Sequence, residues 1–155
     1  MGDANALDID ALAPYLEAAI PGFHGLTSIE QFKAGQSNPT YLLTASSGQY
    51  VLRAKPPGEL LKSAHQVDRE YRVMQALAST AVPVPKMLHL SRDTSPIGRM
   101  FYVMDHVDGR IFWDPTLPEV SSNLERAAIY DAMNATLAAL HSVDWAAIGL
   151  SDFGK

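Results

Sequence analysis

Gly35-Gln36-Ser37-Asn38-Pro39-Thr40 lies between two strand-like runs, Leu26–Phe32 and Tyr41–Ala45, and a third run, Tyr50–Ala54, follows the turn signal Ser46-Ser47-Gly48. Three antiparallel strands in a meander are the economical reading. Gly35 tolerates backbone angles that a side chain forbids, so amide groups near it can approach a ligand closely. Ser37, Asn38 and Thr40 add short polar groups suited to phosphate oxygens, and Pro39 stiffens the turn. The loop lacks G-x-G-x-x-G spacing, and by itself it is equally an ordinary polar hairpin turn.

The third run adds a cation. Side chains alternate along a strand, so Val51 and Arg53 share one face while Tyr50, Leu52 and Ala54 share the other. Val51 is then placed to cover a base while Arg53 reaches phosphates. Lys55 continues the same face and is the rival cation. Arg53 is preferred because Lys55 abuts Pro56-Pro57 at the strand end, and a guanidinium meets phosphate in a planar fork where an ammonium is a point charge. The plain alternative is two solvated charges on an edge strand.

Outward from these strands, Asp10 is expected to cap a helix through about Ile20, with Leu12, Leu16 and Ala19 on one face. Pro14 suits only the first turn of such a helix. After Pro56-Pro57-Gly58 a second helix is predicted from about Ser63 to Ser79, with Ala64, Val67, Tyr71, Met74 and Ala78 at helical spacing. Glu70 sits at the buried edge of that helix and is the candidate partner for Arg53, with Asp68 as the alternative. Strands are predicted around Met87–Leu90 and over Met100–Met104. Asp105-His106-Val107-Asp108-Gly109 reads as a linker, and backbone groups at Asp105 and Val107 could hydrogen-bond the edge of an adenine there. A long helix follows over Asn123–His141, with an apolar stripe of Leu124, Ala128, Met133, Leu137 and Leu140. Three strands, helix, two strands, linker, helix is an α+β order; a parallel α/β fold would alternate.

Bulk properties narrow the function. The chain has 155 residues, 47% of them hydrophobic and 19% charged, as in an ordinary globular domain. With no cysteine, disulfides, thiolate metal sites and thiol catalysis are excluded, and a cytoplasmic location is expected. A formal net charge of −5 argues against nucleic acid as a partner. No run has the apolar length of a membrane span, and the acidic start Met1-Gly2-Asp3 is no signal peptide. The five histidines show no metal-ligand spacing, and His141 is expected to be packed on its helix. Asp152-Phe153-Gly154 imitates a magnesium-binding motif, and Gly149 to Lys155 matches G-x-x-x-x-G-K. Neither has its required context of a catalytic loop, or of a preceding strand and a following helix.

Taken jointly, Phe32–Thr40, Tyr50–Gly58, Ser63–Tyr71 and Phe101–Gly109 resemble the aminoglycoside phosphotransferase family, over roughly residues 26–155. Pro56-Pro57-Gly58-Glu59-Leu60-Leu61 and Asp68-Arg69-Glu70-Tyr71 point to the branch fused to acyl-CoA dehydrogenases. The resemblance implies a protein-kinase-like small lobe, a five-stranded antiparallel sheet plus one helix, followed by the start of a helical large lobe. It divides the chain into an N-terminal helical extension (1–23), a nucleotide-binding lobe (24–105), and a hinge with the first helix of an incomplete lobe (106–155).

The implied chemistry is transfer of the γ-phosphoryl group of ATP or GTP, with Mg2+, to a small-molecule hydroxyl; a hydroxyacyl-CoA or hydroxy acid is favoured over an antibiotic. Gly35, Gln36, Ser37, Asn38, Thr40, Val51, Arg53, Glu70, Met104, Asp105 and Val107 would bind the nucleotide. The family's H-G-D-x-x-x-x-N loop and its later metal-binding Asp are expected beyond Lys155, on a missing C-terminal lobe. These 155 residues alone are therefore expected to be inactive. The alternative is a noncatalytic nucleotide- or partner-binding lobe.

Overall fold

Five runs form strands: β1 (Leu26–Gln31), β2 (Thr40–Ala45), β3 (Gly48–Ala54), β4 (Met87–Ser91) and the mostly apolar β5 (Phe101–Asp105). They form one antiparallel sheet in the spatial order β1-β2-β3-β5-β4, so β5 enters between β3 and β4. The helices are α1 (Ile9–Ala19), α2 (Val67–Leu77) and α3 (Asn123–His141). The computed structural model describes residues 6–33, 38–58 and 66–154. It falls into two compact units, one of residues up to Gln75 with Pro85–His106, the other of Ala76–Val84 with Val107 onward.

The sheet of the first unit has two different faces. On one, Leu12, Leu16, Ile20 and Phe23 from α1 and the turn after it pack on Tyr41, Leu43, Leu52, Ala54, Phe101 and Val103 as a single core. The first helix thus shares its core with the sheet. On the other face, Arg53 and Tyr102 meet Glu70 of α2, and the rings of Tyr71 and Tyr102 lie 6.1 Å apart. Gly25 holds the start of β1 close to the β2–β3 turn. Its φ is +67°, and an added Cβ would lie 2.5 Å from Ser46 Oγ, so only glycine fits.

Two expectations for α1 need correction. Asp8, not Asp10, is the N-cap: its Oδ1 accepts from Asp10 N at 2.9 Å, and its carbonyl takes the first helical bond from Leu12 at 3.1 Å. Asp10 is instead a first-turn acid, favourable at the positive end of a helix. Pro14 lies inside the helix, beyond the first turn. The carbonyl it leaves without a donor belongs to Asp10, on the exposed side, while Leu12 and Leu16 are both fully buried and anchor the helix across the defect. In α2 the helix is described from Val67 to Leu77; the expected start near Ser63 and Ala64 lies outside the described residues.

In the second unit, α3 runs over the predicted range Asn123–His141. Ser122 caps it by accepting from Glu125 N, and Arg110 pairs with Glu125 at 2.8 Å. No residue of α3 is buried. Met133, Leu137 and Leu140 of the expected stripe border an open trough of about 560 Å3 with Phe112 and Ile129, while Leu124 and Ala128 lie on another side of the helix. His141 is exposed at the helix end rather than packed, on a helix with no buried residue. Asp152-Phe153-Gly154 lies in irregular structure after α3. No helix among the described residues is long and apolar enough to cross a membrane.

Candidate functional site

Cross-strand register sorts the open sheet face into two rows. Thr40, Arg53 and Tyr102 are successive partners across β2, β3 and β5 and form a polar row. Leu42, Val51 and Met104 form the next row and are all apolar. Directly paired residues project to one face, so a cation and two hydroxyls stand beside an apolar strip.

Glu70 joins the polar row from α2. Arg53 Nε donates to Glu70 Oε2 at 2.8 Å, and the Tyr102 hydroxyl donates to the same oxygen at 3.0 Å. Asn38 Nδ2 donates to Glu70 Oε1 at 2.9 Å. The other side of the guanidinium is fixed as well: Arg53 Nη1 donates to Thr40 Oγ1 at 2.8 Å and reaches the Asn38 carbonyl at 3.5 Å. Thr40 Oγ1 donates in turn to the Asn38 carbonyl at 3.1 Å. Among the described residues, Arg53 Nη2 has no hydrogen-bond partner. The Arg53 and Glu70 side chains are 27% and 34% exposed, so the pair is shielded yet reachable.

Electrostatics agree with this arrangement. Burial pushes the Tyr102 hydroxyl well above the usual phenol range, the Glu70 charge and hydrogen bond push it further, and Arg53 opposes only in part. Tyr102 therefore stays a protonated donor at all ordinary pH. Glu70 in turn receives three donors from three separate segments.

The structure assigns places to the residues singled out from sequence. Arg53 and Glu70 come together, whereas Lys55 makes no ion pair among the described residues. Asp68 lies instead on a separate cleft of about 460 Å3, with Arg72, Leu88 and Arg92. Asn38 is 3% exposed, with its amide nitrogen engaged by Glu70, so its side chain is turned inward. Gly35, Gln36 and Ser37 lie outside the described residues.

Val51 is buried and Met104 half-buried in the apolar row. Asp105 N donates to the Lys86 carbonyl at 2.9 Å, which leaves the Asp105 carbonyl as its candidate ligand contact. Val107, 68% exposed, begins the second unit. Tyr102 was not singled out from sequence. Its signal is the pairing with Arg53, which a run of four apolar residues does not disclose. Among the described residues no three His, Asp or Glu gather as a metal ion would need.

A family profile described as phosphotransferase enzyme family matches residues 28–155. The chain is 49% identical over 151 residues to acyl-CoA dehydrogenase family member 11 of Rattus norvegicus, covering 95% of this chain and 19% of that protein. It is 48% identical over 160 residues to the probable acyl-CoA dehydrogenase IBR3 of Arabidopsis thaliana, covering 98% and 19%. The chain thus spans about a fifth of the length of these curated relatives. A crystal structure from Ralstonia eutropha JMP134, described as an aminoglycoside phosphotransferase, superposes with a TM-score of 0.82 at 51% identity, over 97% of this chain and 43% of that one.

Proposed function

The chain belongs to the phosphotransferase enzyme family, and from that membership we propose that its sheet unit binds the polyphosphate of ATP or GTP for transfer of the γ-phosphoryl group to a small-molecule hydroxyl. The observation that carries this reading is the Arg53–Glu70 pair at 2.8 Å. Glu70 and Thr40 hold Nε and Nη1, and the guanidinium still has Nη2 to offer a phosphate oxygen. Phosphoryl transfer is catalysed chiefly by positioning and charge neutralisation, and a cation oriented by a carboxylate serves both.

The apolar row supports a site for the base. Val51, with Leu42 and Met104, would cover a purine whose edge meets the Asp105 carbonyl and the Val107 amide. Gly35, Gln36 and Ser37 would bring backbone and hydroxyl donors to the phosphates. Magnesium would supply charge neutralisation at the phosphates. Its protein ligands, like the catalytic base, are proposed to lie outside these residues, on a further lobe. A hydroxyacyl-CoA or hydroxy acid is the proposed acceptor, supported by the names of the relatives with an acyl-CoA dehydrogenase portion.

Isothermal titration of the chain with ATP and with GTP, each with and without magnesium, tests the proposal. One of the two nucleotides should bind, and Arg53→Ala should weaken that binding while leaving the circular dichroism spectrum unchanged. Absence of binding by both, or equal affinity in the variant, overturns it.

A further inference from the structure

Tyr102 is a member of the polar network that no nucleotide would touch. Its side chain is 1% exposed, and its hydroxyl points at Glu70. It nevertheless stands directly opposite Arg53 in the sheet, and both donate to the same carboxylate oxygen. Two donors of different length thereby fix one oxygen. With Oε1 held by Asn38, the carboxylate has no rotation left that keeps its hydrogen bonds. Remove the hydroxyl, and the plane of the carboxylate can turn about its last torsion, carrying the Arg53 Nε contact with it.

We infer that Tyr102 is a positioning residue for the nucleotide site: acting through Glu70, its hydroxyl sets the orientation of the Arg53 guanidinium and hence the edge presented to phosphate. The inference rests on the nucleotide reading for its functional consequence, but its structural part stands apart from that reading. Burial keeps the hydroxyl protonated, so the effect is constant over the working pH range. Tyr102 touches no reacting atom.

Tyr102→Phe keeps the ring beside Tyr71 and removes only the donor. Two readouts are needed. In 15N-labelled chain, the Arg53 Nε–H resonance should be protected from solvent exchange, and in Tyr102→Phe it should shift and exchange faster. MgATP and MgGTP titrations should show affinity for the bound nucleotide falling roughly tenfold in Tyr102→Phe. Against a Glu70→Gln background the same change should cost less than about twofold, because its route has already been cut.

An unchanged Arg53 Nε–H resonance in Tyr102→Phe overturns the inference. So does an equal loss of affinity in the Glu70→Gln background, which would mark a packing effect. If the parent binds neither nucleotide, the nucleotide reading is what fails, and the Nε–H comparison alone decides whether Tyr102 positions Arg53.

Discussion

Arg53 and Tyr102 face each other across β3 and β5, and both donate to Oε2 of Glu70, at 2.8 and 3.0 Å. One carboxylate oxygen thereby ties two strands to a helix. Arg53 also holds Thr40 through Nη1, and no ammonium can reproduce that fork. Arg53→Lys should therefore keep the charge yet lose either Glu70 or Thr40. Nucleotide affinity should drop less than in Arg53→Ala, for which roughly ten- to a hundredfold is expected. Stability should fall by about 1–2 kcal/mol in Arg53→Ala, since Glu70 keeps two donors and the pair is partly solvated. Calorimetric titration and urea unfolding of the three proteins give both numbers.

Leu16 of α1 is fully buried against the sheet core, so α1 is expected to unfold with the strands. Leu16→Ala should cost about 2–5 kcal/mol, whereas Leu124→Ala on the exposed face of α3 should change stability by less than about 0.5 kcal/mol. Both tryptophans, Trp113 and Trp145, lie in the second unit. Tyrosine circular dichroism should therefore register the Leu16→Ala loss more strongly than tryptophan fluorescence does.

The strands were legible because one sheet face is packed on α1 and the other carries a polar row beside an apolar one. The β2–β3 hairpin followed from Ser46-Ser47-Gly48, and Glu70 from its place on the helix. Tyr102 was hidden because Phe101-Tyr102-Val103 reads as core, and only the non-local β3–β5 register turns that hydroxyl toward Glu70. The inward turn of the Asn38 side chain was not legible in its loop, because it depends on α2, far along the chain. The expected Asp10 cap and the Pro14 position failed for a local reason. Anchoring by Leu12 and Leu16 outweighs the cost of one lost helical bond. His141 is exposed because it stands in the last turn of a helix with no buried residue.

His89 should make stability depend on pH. Its Nε2 lies 3.0 Å from the Tyr15 hydroxyl, which donates to Ser91 Oγ at 2.8 Å, while Ser91 donates to the Asp93 carbonyl. Each oxygen thus receives from the previous group, and Nε2–H of His89 is the first donor. Burial lowers the imidazole below its ordinary 6.5, so the folded state prefers the neutral ring. The unfolded chain then binds the proton more readily. The stabilisation is complete above about pH 6.5 and is lost as pH falls through the lowered folded value. Arg69, Arg72 and Arg92 border the same cleft and Asp68 is its acid. Urea midpoints at pH 7.5 and 5.5 should differ in the parent, and that difference should shrink in His89→Gln. An undiminished difference in the variant would assign the pH effect to other groups.

The face of α3 makes the last prediction. Met133 is 58% exposed, Leu137 51% and Leu140 44%, and these side chains lie at helical spacing on a helix with no buried residue. A contiguous apolar face of this kind is costly in water and is relieved by covering it. The chain is therefore expected to self-associate as concentration rises. Met133→Glu with Leu137→Glu should shift it toward monomer, with the sheet unit still folded. Sedimentation velocity across a hundredfold range of about 1–100 μM measures the first effect, and tyrosine circular dichroism checks the second. A parent that stays monomeric throughout would mean that this face needs no cover. Association that persists in the double variant would place the contact elsewhere, with exposed Trp113 and Trp145 the next residues to change.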